Sequence, residues 1–413
     1  MQSKIKAGQK QKERNEKMKR AIKLTAAALG TAGFMLVTAA GVLCSELPDT
    51  FYIGAGERLE INSPLPVTVQ YHSQRAVEAG TADAPSQARL MLFGAVPIKE
   101  VSTLSVSRPK VVAGGEPIGL KVISDGVIVV DLQEVGGRSP AEEAGIEVGD
   151  VISKLDGETV CGNADVARVI EKSEGRPCTA QVERNGKQLD LTIEPELDGG
   201  SYKAGMWVRD SSAGIGTLTF YDRRTGAFAG LGHAVCDSDT GQPVGLFEGS
   251  VGEIKLTGIT KSQPGSPGQL IGEFKNSSSI GEITENTTEG VYGRLDADPV
   301  KGRKELPIAF RQEVHTGEAT VMCSVDGTGA KAYSALIEQT DISKDAQHDM
   351  VIRITDKRLL EKAGGIVQGM SGSPVIQDGR IVGAVTHVFV DDSACGYGIF
   401  ADKMYEHTRS FGL

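Results

Sequence analysis

The sequence predicts a mainly β protein of several domains, preceded by a transmembrane helix. Three observations lead to this prediction. The chain of 413 residues exceeds one ordinary hydrophobic core, 52 glycines accompany only 5% aromatic residues, and an uncharged run lies near the N-terminus. The many glycines favour tight turns between short strands over long helices. The net charge of −10 argues against general nucleic-acid binding.

The uncharged run covers residues 24–44 and is long enough to cross a bilayer as a helix. The preceding residues 1–23 contain nine Lys/Arg and two acidic residues, which predicts a cytosolic N-terminus. A cleaved signal peptide is the alternative, with Ala39-Ala40-Gly41 as the small-residue cleavage site. Both interpretations send the rest of the chain across a membrane.

Composition divides the exported part into three segments. Residues 45–105 contain short strand-like runs around a polar patch, and we expect a stalk with some β pairing. Residues 106–197 form a second domain. From residue 198 to residue 413 many short β runs alternate with glycine, which suits one or two closed β-barrels. The six cysteines are scattered and lack metal-ligand spacing, so we expect buried free thiols and neither a metal nor a cofactor.

The 106–197 segment contains a distinctive run, Ser139-Pro-Ala-Glu-Glu-Ala-Gly-Ile-Glu-Val-Gly-Asp-Val-Ile152, followed by a helix and an Asn-Gly hairpin turn. This pattern resembles a PDZ domain of the bacterial protease type. The resemblance implies that a peptide adds as an extra strand, with its terminal carboxylate in a nest of N–H groups at Ile118, Gly119 and Leu120. The alternative is that Ile118 and Leu120 fill the core of the small domain.

The strongest chemical signal is the loop Gly369-Met-Ser-Gly-Ser-Pro374, which precedes an apolar strand and a hairpin. It resembles the nucleophile loop of chymotrypsin-like serine proteases. Ser371 is then the predicted nucleophile, and the backbone N–H groups of Gly369 and Ser371 are the predicted oxyanion hole. A short Gly-x-Ser-Gly alone would be an ordinary turn, and Ser373 is the alternative nucleophile.

A serine nucleophile needs a general base. His233 lies in a Gly-His-Ala sequence, follows the strand-like run 216–220 and precedes Ser371 by 138 residues. This order resembles that of chymotrypsin-like enzymes. We expect His387 to be a packed or surface histidine. The remaining, weaker candidates are His72, His315, His348 and His407.

The third member of a triad orients the imidazole of the base. Chain order alone leaves several aspartates open: Asp237, Asp239, Asp341, Asp345, Asp349 and Asp356. A surface carboxylate is the alternative interpretation for each of them.

Two longer strings narrow these choices. Ile366-Val-Gln-Gly-Met-Ser-Gly-Ser-Pro374 and Gly383-Ala-Val-Thr-His-Val-Phe-Val390 resemble the stage IV sporulation protein B family of serine peptidases. The resemblance covers nearly the whole chain and implies a triad of His233, Asp356 and Ser371. Asp356 lies only 15 residues before Ser371, closer than in digestive chymotrypsin-like enzymes.

The resemblance also implies a function. Such an enzyme is made in the forespore and enters the space between the two membranes. There it cleaves itself and cuts a regulator of an integral-membrane metalloprotease, so that a late sigma factor matures. Two other functions remain open: an extracytoplasmic quality-control PDZ protease, which would put the peptidase first, and a non-catalytic PDZ scaffold, which would not need a Ser/His pair.

Overall fold

The computed structural model describes residues 2–63, 65–71, 86–275 and 279–409, and it divides the chain into two compact units. The first unit covers residues 1–108 and 342–347. It begins with helix α1, Gln2–Glu46. Within α1, Met18–Glu46 is long and apolar enough to cross a membrane. The helix therefore agrees with a membrane span or a signal anchor.

The rest of the first unit is a small sheet. Its strands are β1 (Thr50–Gly54), β2 (Val67–Tyr71), β3 (Ser86–Leu92) and β4 (Val96–Val106), in the order β1-β4-β3-β2. Alternate side chains of β3 are buried, as expected for a strand with one face on a core. Residues expected to form a stalk thus form a folded sheet, although residues 72–85 lie outside the described part.

The second unit covers residues 109–341 and 348–413. Its helices are α2 (Pro140–Glu143), α3 (Asn163–Lys172), α4 (Lys357–Ala363) and α5 (Ala401–Arg409), with a 3-10 turn at Arg311–Glu313. Its strands as far as residue 230 are β5 (Lys110–Ala113), β6 (Pro117–Leu132), β7 (Val151–Leu155), β8 (Glu158–Thr159), β9 (Cys178–Arg184), β10 (Lys187–Ile193), β11 (Glu196–Asp198), β12 (Ser201–Lys203), β13 (Met206–Tyr221) and β14 (Ala227–Gly230).

The remaining strands follow in chain order. They are β15 (Glu248–Thr260), β16 (Gln269–Phe274), β17 (Gly281–Thr287), β18 (Gly290–Leu295), β19 (Glu305–Pro307), β20 (Gly317–Cys323), β21 (Lys331–Thr340), β22 (Met350–Ile354), β23 (Pro374–Gln377), β24 (Arg380–Val388) and β25 (Cys395–Phe400). The mainly β fold predicted from the glycine content is confirmed.

The PDZ-like module has its own core, which runs from Val127 in the second half of β6 to Ala204 and is flanked by Val208 of β13. Helix α3 presents one apolar face to it. The predicted hairpin between β9 and β10 is present, and Asn185 and Gly186 both have positive φ. Two positive φ angles are what a tight two-residue hairpin requires, so this local prediction is confirmed.

Two β-barrels lie beyond this module. In the first, β6, β15, β17, β18, β14 and β13 pair in sequence, and an additional β6–β13 pairing closes the ring. Ile118, Leu120 and Val122 at the start of β6 belong to the core of this barrel, together with Phe228 and Val291. The second barrel closes in the order β20-β21-β22-β25-β24-β23. The expected pair of closed β-barrels is therefore present.

The PDZ-like core is an insertion within the first barrel. β6 enters the module from the barrel, and β13 returns to the barrel from the module. The two strands pair antiparallel from Leu132 opposite Met206 to Pro117 opposite Thr217. The PDZ domain was expected to begin at residue 106. In the structure, residues 111–122 pack in the barrels rather than in the PDZ-like core.

The predicted peptide nest at Ile118, Gly119 and Leu120 is not accessible in this structure. β13 pairs with one edge of these residues and β15 pairs with the other, so that Gly119 lies between Ile215 and Gly252. A peptide cannot add as a strand where both edges are already hydrogen-bonded. Ile118 and Leu120 are buried, as the alternative interpretation expects.

The cysteines are all free thiols. Cys178, Cys323 and Cys395 are buried, as expected, whereas Cys44 and Cys236 are exposed. Burial raises the pKa of the Cys323 thiol to about 12, which keeps it protonated and unreactive.

The variant Gly119→Asp tests the role of the β6 glycine. A Cβ at this position would lie 2.3 Å from the ring of Phe274 and 2.8 Å from Ile254 Cδ1, so the carboxylate would enter an apolar environment. We expect the free energy of unfolding to fall by at least about 2 kcal/mol, measured by urea denaturation. Gly214→Asp is the matched control, because Gly214 is exposed, pairs with Leu120 and has open space at its Cβ position. Equal stability of the two variants would contradict the packing described.

Candidate active site

The loop that carries Ser371 depends on glycine at two positions. Gly369 and Gly372 have φ of +94° and +93°, a region that side chains rarely adopt. A Cβ on Gly372 would also lie 2.1 Å from the carbonyl oxygen of Thr217 and 2.5 Å from the backbone nitrogen of Leu231. The loop therefore approaches the first barrel closely, and this approach requires glycine.

Two threonines of β13 hold this loop. Thr217 donates its hydroxyl to the carbonyl of Gly369 at 2.7 Å, and its backbone N–H to the carbonyl of Ser371 at 2.9 Å. Thr219 donates its hydroxyl to the carbonyl of Gly372 at 2.8 Å. Both threonines are buried, so water does not compete for these hydrogen bonds. The first barrel thus fixes the backbone of a loop that leads into the second barrel.

Ser371 and Ser373 occupy different environments. Ser373 is fully buried and donates its hydroxyl to the carbonyl of Met370 at 2.6 Å. Ser371 is partly exposed, and its Oγ donates to the carbonyl of Thr386 at 2.6 Å. Only the Ser371 hydroxyl is accessible to a substrate, which favours it over Ser373 as the nucleophile.

The N–H groups of Gly369 and Ser371 donate to no acceptor within the described ranges. The intervening Met370 N–H is satisfied, because it donates to the carbonyl of Val367 at 3.0 Å. Two unsatisfied donors two residues apart, one of them on the nucleophile itself, are the arrangement that an oxyanion hole needs. The geometry is thus compatible with the predicted role of Gly369 and Ser371.

His233 follows β14 and is partly buried. Its Nδ1 lies 2.7 Å from the carbonyl oxygen of Ala234. A carbonyl oxygen can only accept, so Nδ1 carries the proton and Nε2 keeps its lone pair. Burial lowers the pKa of His233, while the hydrogen bond to Ala234 opposes that shift. The imidazole is therefore neutral and in the tautomer that a general base requires.

Ser371 and His233 contact two adjacent residues of β24. The Ser371 hydroxyl contacts Thr386, and the ring of His233 lies 4.6 Å from that of His387, centroid to centroid. A Cβ on Gly232 would lie 2.9 Å from Thr386 Cγ2, which shows how closely this segment approaches. The predicted nucleophile and the predicted base thus contact adjacent residues of β24, and their pairing in catalysis remains a prediction.

Asp356 contacts other partners. It is the N-cap of α4, and its carboxylate accepts hydrogen bonds from the backbone N–H groups of Arg358 and Ser334. The Arg358 guanidinium also donates to both carboxylate oxygens, at 3.0 and 2.7 Å. The Arg358 hydrogen bonds hold the pKa of Asp356 well below its usual range. The structure gives this carboxylate a capping role, and its predicted place in the triad remains a prediction.

The other candidate aspartates do not supply a substitute. Asp237 and Asp239 pair with Arg209, and Asp349 pairs with Lys403. No carboxylate of the described residues forms a hydrogen bond with His233. The imidazole is oriented by a backbone carbonyl instead.

The remaining histidines have separate partners. His315 bonds Asp378, His348 stacks on Tyr397, and His407 lies between two glutamates. His72 lies outside the described residues. No cluster of three or more metal-ligating side chains occurs in the part of the chain that the structure describes.

Comparison with known protein families identifies both parts of the second unit. Residues 200–405 match the family described as SpoIVB peptidase S55, and residues 117–194 match the PDZ domain family. The chain belongs to the SpoIVB peptidase S55 family. The resemblance noted in the sequence is thus confirmed, and this S55 peptidase combines a domain of the S55 serine peptidase family with a PDZ domain.

Curated relatives share a short part of this S55 peptidase. A Brucella suis protein named as a zinc metalloprotease is 32% identical over 111 residues, which are 26% of this chain and 29% of the relative. The regulator of sigma-E protease RseP of Salmonella typhimurium is 33% identical over 73 residues, 18% of this chain and 16% of the relative. The chain therefore spans less than a third of the length of these relatives.

Solved structures with similarity include two proteases and one isolated domain. The HtrA-type protease AlgW with a decapeptide has 12% identity and a TM-score of 0.29, with 49% of this chain and 54% of that chain covered. The Rv3671c protease of Mycobacterium tuberculosis in its active form has 15% identity and a TM-score of 0.26, covering 49% and 75%. The PDZ domain of an SdrC-like protein of Listeria monocytogenes has 22% identity and a TM-score of 0.18, covering 21% and 90%. Scores this low support no argument about function.

Sequence reasoning missed two contributors to the site. Thr217 and Thr219 are polar residues at buried positions of a strand. Buried hydroxyl groups need hydrogen-bond acceptors, so these two threonines could have been predicted to hold a neighbouring segment. His387 was expected to be a packed or surface residue, and its ring in fact lies beside that of the base. That contact depends on tertiary structure, so the local sequence could not reveal it.

Asp356→Asn and Asp356→Ala together distinguish a cap from a triad member. An asparagine caps a helix about as well as an aspartate, whereas alanine costs about 0.5–2 kcal/mol. We therefore expect Asp356→Asn to keep most of the peptidase activity and Asp356→Ala to lower the free energy of unfolding. A triad aspartate would behave differently, because its replacement by asparagine lowers kcat about 10⁴-fold. Measuring kcat and urea stability of both variants decides between the roles, and a 10⁴-fold loss in Asp356→Asn would restore the triad assignment.

Proposed function

We propose that this S55 peptidase is a sporulation signalling endopeptidase. It cleaves itself and then cleaves a regulator of an intramembrane metalloprotease complex, which triggers maturation of a late sigma factor. The proposal is supported by the contacts of Ser371 with Thr386 and of His233 with His387, two adjacent residues in the string that resembles the sporulation family. Its substrates are proteins, and the chemistry requires no cofactor.

In the proposed mechanism the Ser371 hydroxyl turns from Thr386 towards His233. Nε2 of His233 accepts the hydroxyl proton while Oγ attacks the peptide carbonyl carbon. The carbonyl π bond breaks, and its oxygen becomes an oxyanion stabilised by the N–H groups of Gly369 and Ser371. The imidazolium then protonates the leaving amine as the peptide C–N bond breaks, which leaves an acyl-enzyme. Water repeats the sequence, and Ser371 is regenerated.

The proposed location is a membrane surface. Helix α1 spans the membrane with its basic arm in the cytosol, and the catalytic part lies on the opposite side, in the space between the forespore membranes. The excess of Lys/Arg before the apolar run supports this orientation. Self-cleavage between the helix and the second unit would release the peptidase from its anchor.

The PDZ domain is proposed to bind partner proteins through peptide C-termini or internal strands. The pairing of β6 with both β13 and β15 limits where such binding can occur. A ligand strand along residues 118–120 would have to replace one of these two strands. Partner binding at that place would therefore be coupled to opening of the first barrel.

The variant Ser371→Ala tests the proposed activity. Purified wild-type protein is expected to acquire new N-termini within residues 45–105, detected by mass mapping, and Ser371→Ala protein is expected to acquire none. Wild-type enzyme added in trans should cleave the Ser371→Ala protein at the same positions. Ser373→Ala is the matched control and should keep cleavage, because its hydroxyl is buried. Equal cleavage by Ser371→Ala would overturn the enzyme assignment.

The pH profile tests the role of His233. Burial lowers the pKa of this histidine below its ordinary value of 6.5, and the base is active only when neutral. As the pH is decreased, we therefore expect kcat/KM to be still unchanged at pH 6.5. It should fall only when the pH drops below the lowered pKa of His233. His233→Ala should lose this limb together with activity, while its circular dichroism spectrum remains unchanged. An active His233→Ala variant would move the role to another residue.

A further inference from the structure

We propose that His387 is a positioning residue for the general base, and that its ring holds the imidazole of His233 in the orientation that accepts the Ser371 proton. This inference rests on the proposed role of His233. It adds a function for a residue that neither the chain order of the triad nor the Gly-His-Ala sequence indicates.

The first argument is the packing of the two rings. Their centroids are 4.6 Å apart and their planes form an angle of 35°, so the rings are in direct contact. Among the described residues, the His233 ring contacts the His387 ring and the Ala234 carbonyl. One hydrogen bond at Nδ1 leaves rotation about that bond unrestrained. A ring packed against the face of His233 removes this freedom.

The second argument is the irregular end of β24. The pairing of β24 with β25 shifts register between Val385 and Val388, so Thr386 and His387 fall within the irregularity. Irregularities of this kind re-aim side chains near active sites. Gly396 allows the irregularity, because a Cβ there would lie 2.5 Å from the carbonyl oxygen of His387. The same two residues therefore contact the nucleophile through Thr386 and the base through His387.

The third argument is electrostatic. Partial burial, then His233 and His348, lower the pKa of His387 to about 4. The titratable groups that act on it are His233, from the loop after β14, and His348, from the loop before β22. The His233 ring contacts it directly, and the His348 ring stacks on Tyr397 of β25. His387 thus stays neutral when the enzyme works and does not repel the imidazolium that forms on His233. A group with so low a pKa is also a poor general base.

The test compares His387→Ala with His387→Phe in the full-length protein. Phenylalanine keeps a flat ring against His233 and removes both ring nitrogens, whereas alanine removes the ring. We expect His387→Ala to lower kcat about ten- to a hundredfold, the effect of a misplaced catalytic group, with KM nearly unchanged. His387→Phe should recover most of kcat. The substrate for these kinetic measurements is a peptide that spans a mapped self-cleavage site.

The pH profile supplies a readout that a purely structural role would not change. Removal of the His387 ring exposes His233 to water, so its pKa should rise towards the ordinary value. The acidic limb of kcat/KM should therefore move to higher pH in His387→Ala and stay in place in His387→Phe. His315→Ala is the control, because both nitrogens of its imidazole bond groups away from the site, the Thr316 carbonyl and Asp378.

The outcomes separate the two assignments. Wild-type kcat in His387→Ala overturns the positioning role and leaves His233 as the base. Inactivity of His387→Phe equal to that of His233→Ala overturns it as well, because the ring nitrogens would then be needed for catalysis. An active His233→Ala variant overturns the underlying base assignment whatever His387 does. The rate at which a fluorophosphonate probe labels Ser371 can also be measured in each variant. It should rank the variants in the same order as kcat, without a peptide substrate.

Discussion

The antiparallel pairing of β6 with β13 is the constraint on which the rest of the second unit depends. It closes the first barrel, carries the chain into the PDZ domain and returns it, and ends at Thr217 beside the nucleophile loop. Backbone hydrogen bonds along so long a pair make it a stiff element rather than a linker. The PDZ domain and the active site of this S55 peptidase are therefore parts of one continuous structure.

The candidate active site is assembled largely from backbone contacts. The carbonyl of Ala234 selects the tautomer of His233, the carbonyl of Thr386 accepts the Ser371 hydroxyl, and threonine hydroxyl groups hold the carbonyls of the nucleophile loop. Such contacts do not depend on an ionised partner, so their burial avoids the large cost of removing a charge from water. The chemistry can therefore lie in a partly buried cleft without a buried carboxylate at the base.

Local sequence patterns were sufficient to predict those features whose structure depends on a few neighbouring residues. The hairpin at Asn185-Gly186 and the glycine positions around Ser371 follow from backbone geometry that a few residues fix. Other features depend on distant partners. The edges of residues 118–120 are occupied by strands about a hundred residues later, and the His387 ring meets His233 only through a register shift in β24. Asp356 shows a further limit, because a helix cap and a triad aspartate have the same residue type and the same place before the loop.

The insertion of the PDZ domain into the first barrel also sets an order of folding. The PDZ core uses a nearly contiguous stretch of chain, whereas β5 must wait for β19 and β6 for β15. Contacts between distant segments form later than local ones. Because synthesis proceeds from the N-terminus, the PDZ domain can fold before either barrel closes. The nucleophile loop is held by the first barrel and leads into the second, so the candidate active site is completed only after both have formed.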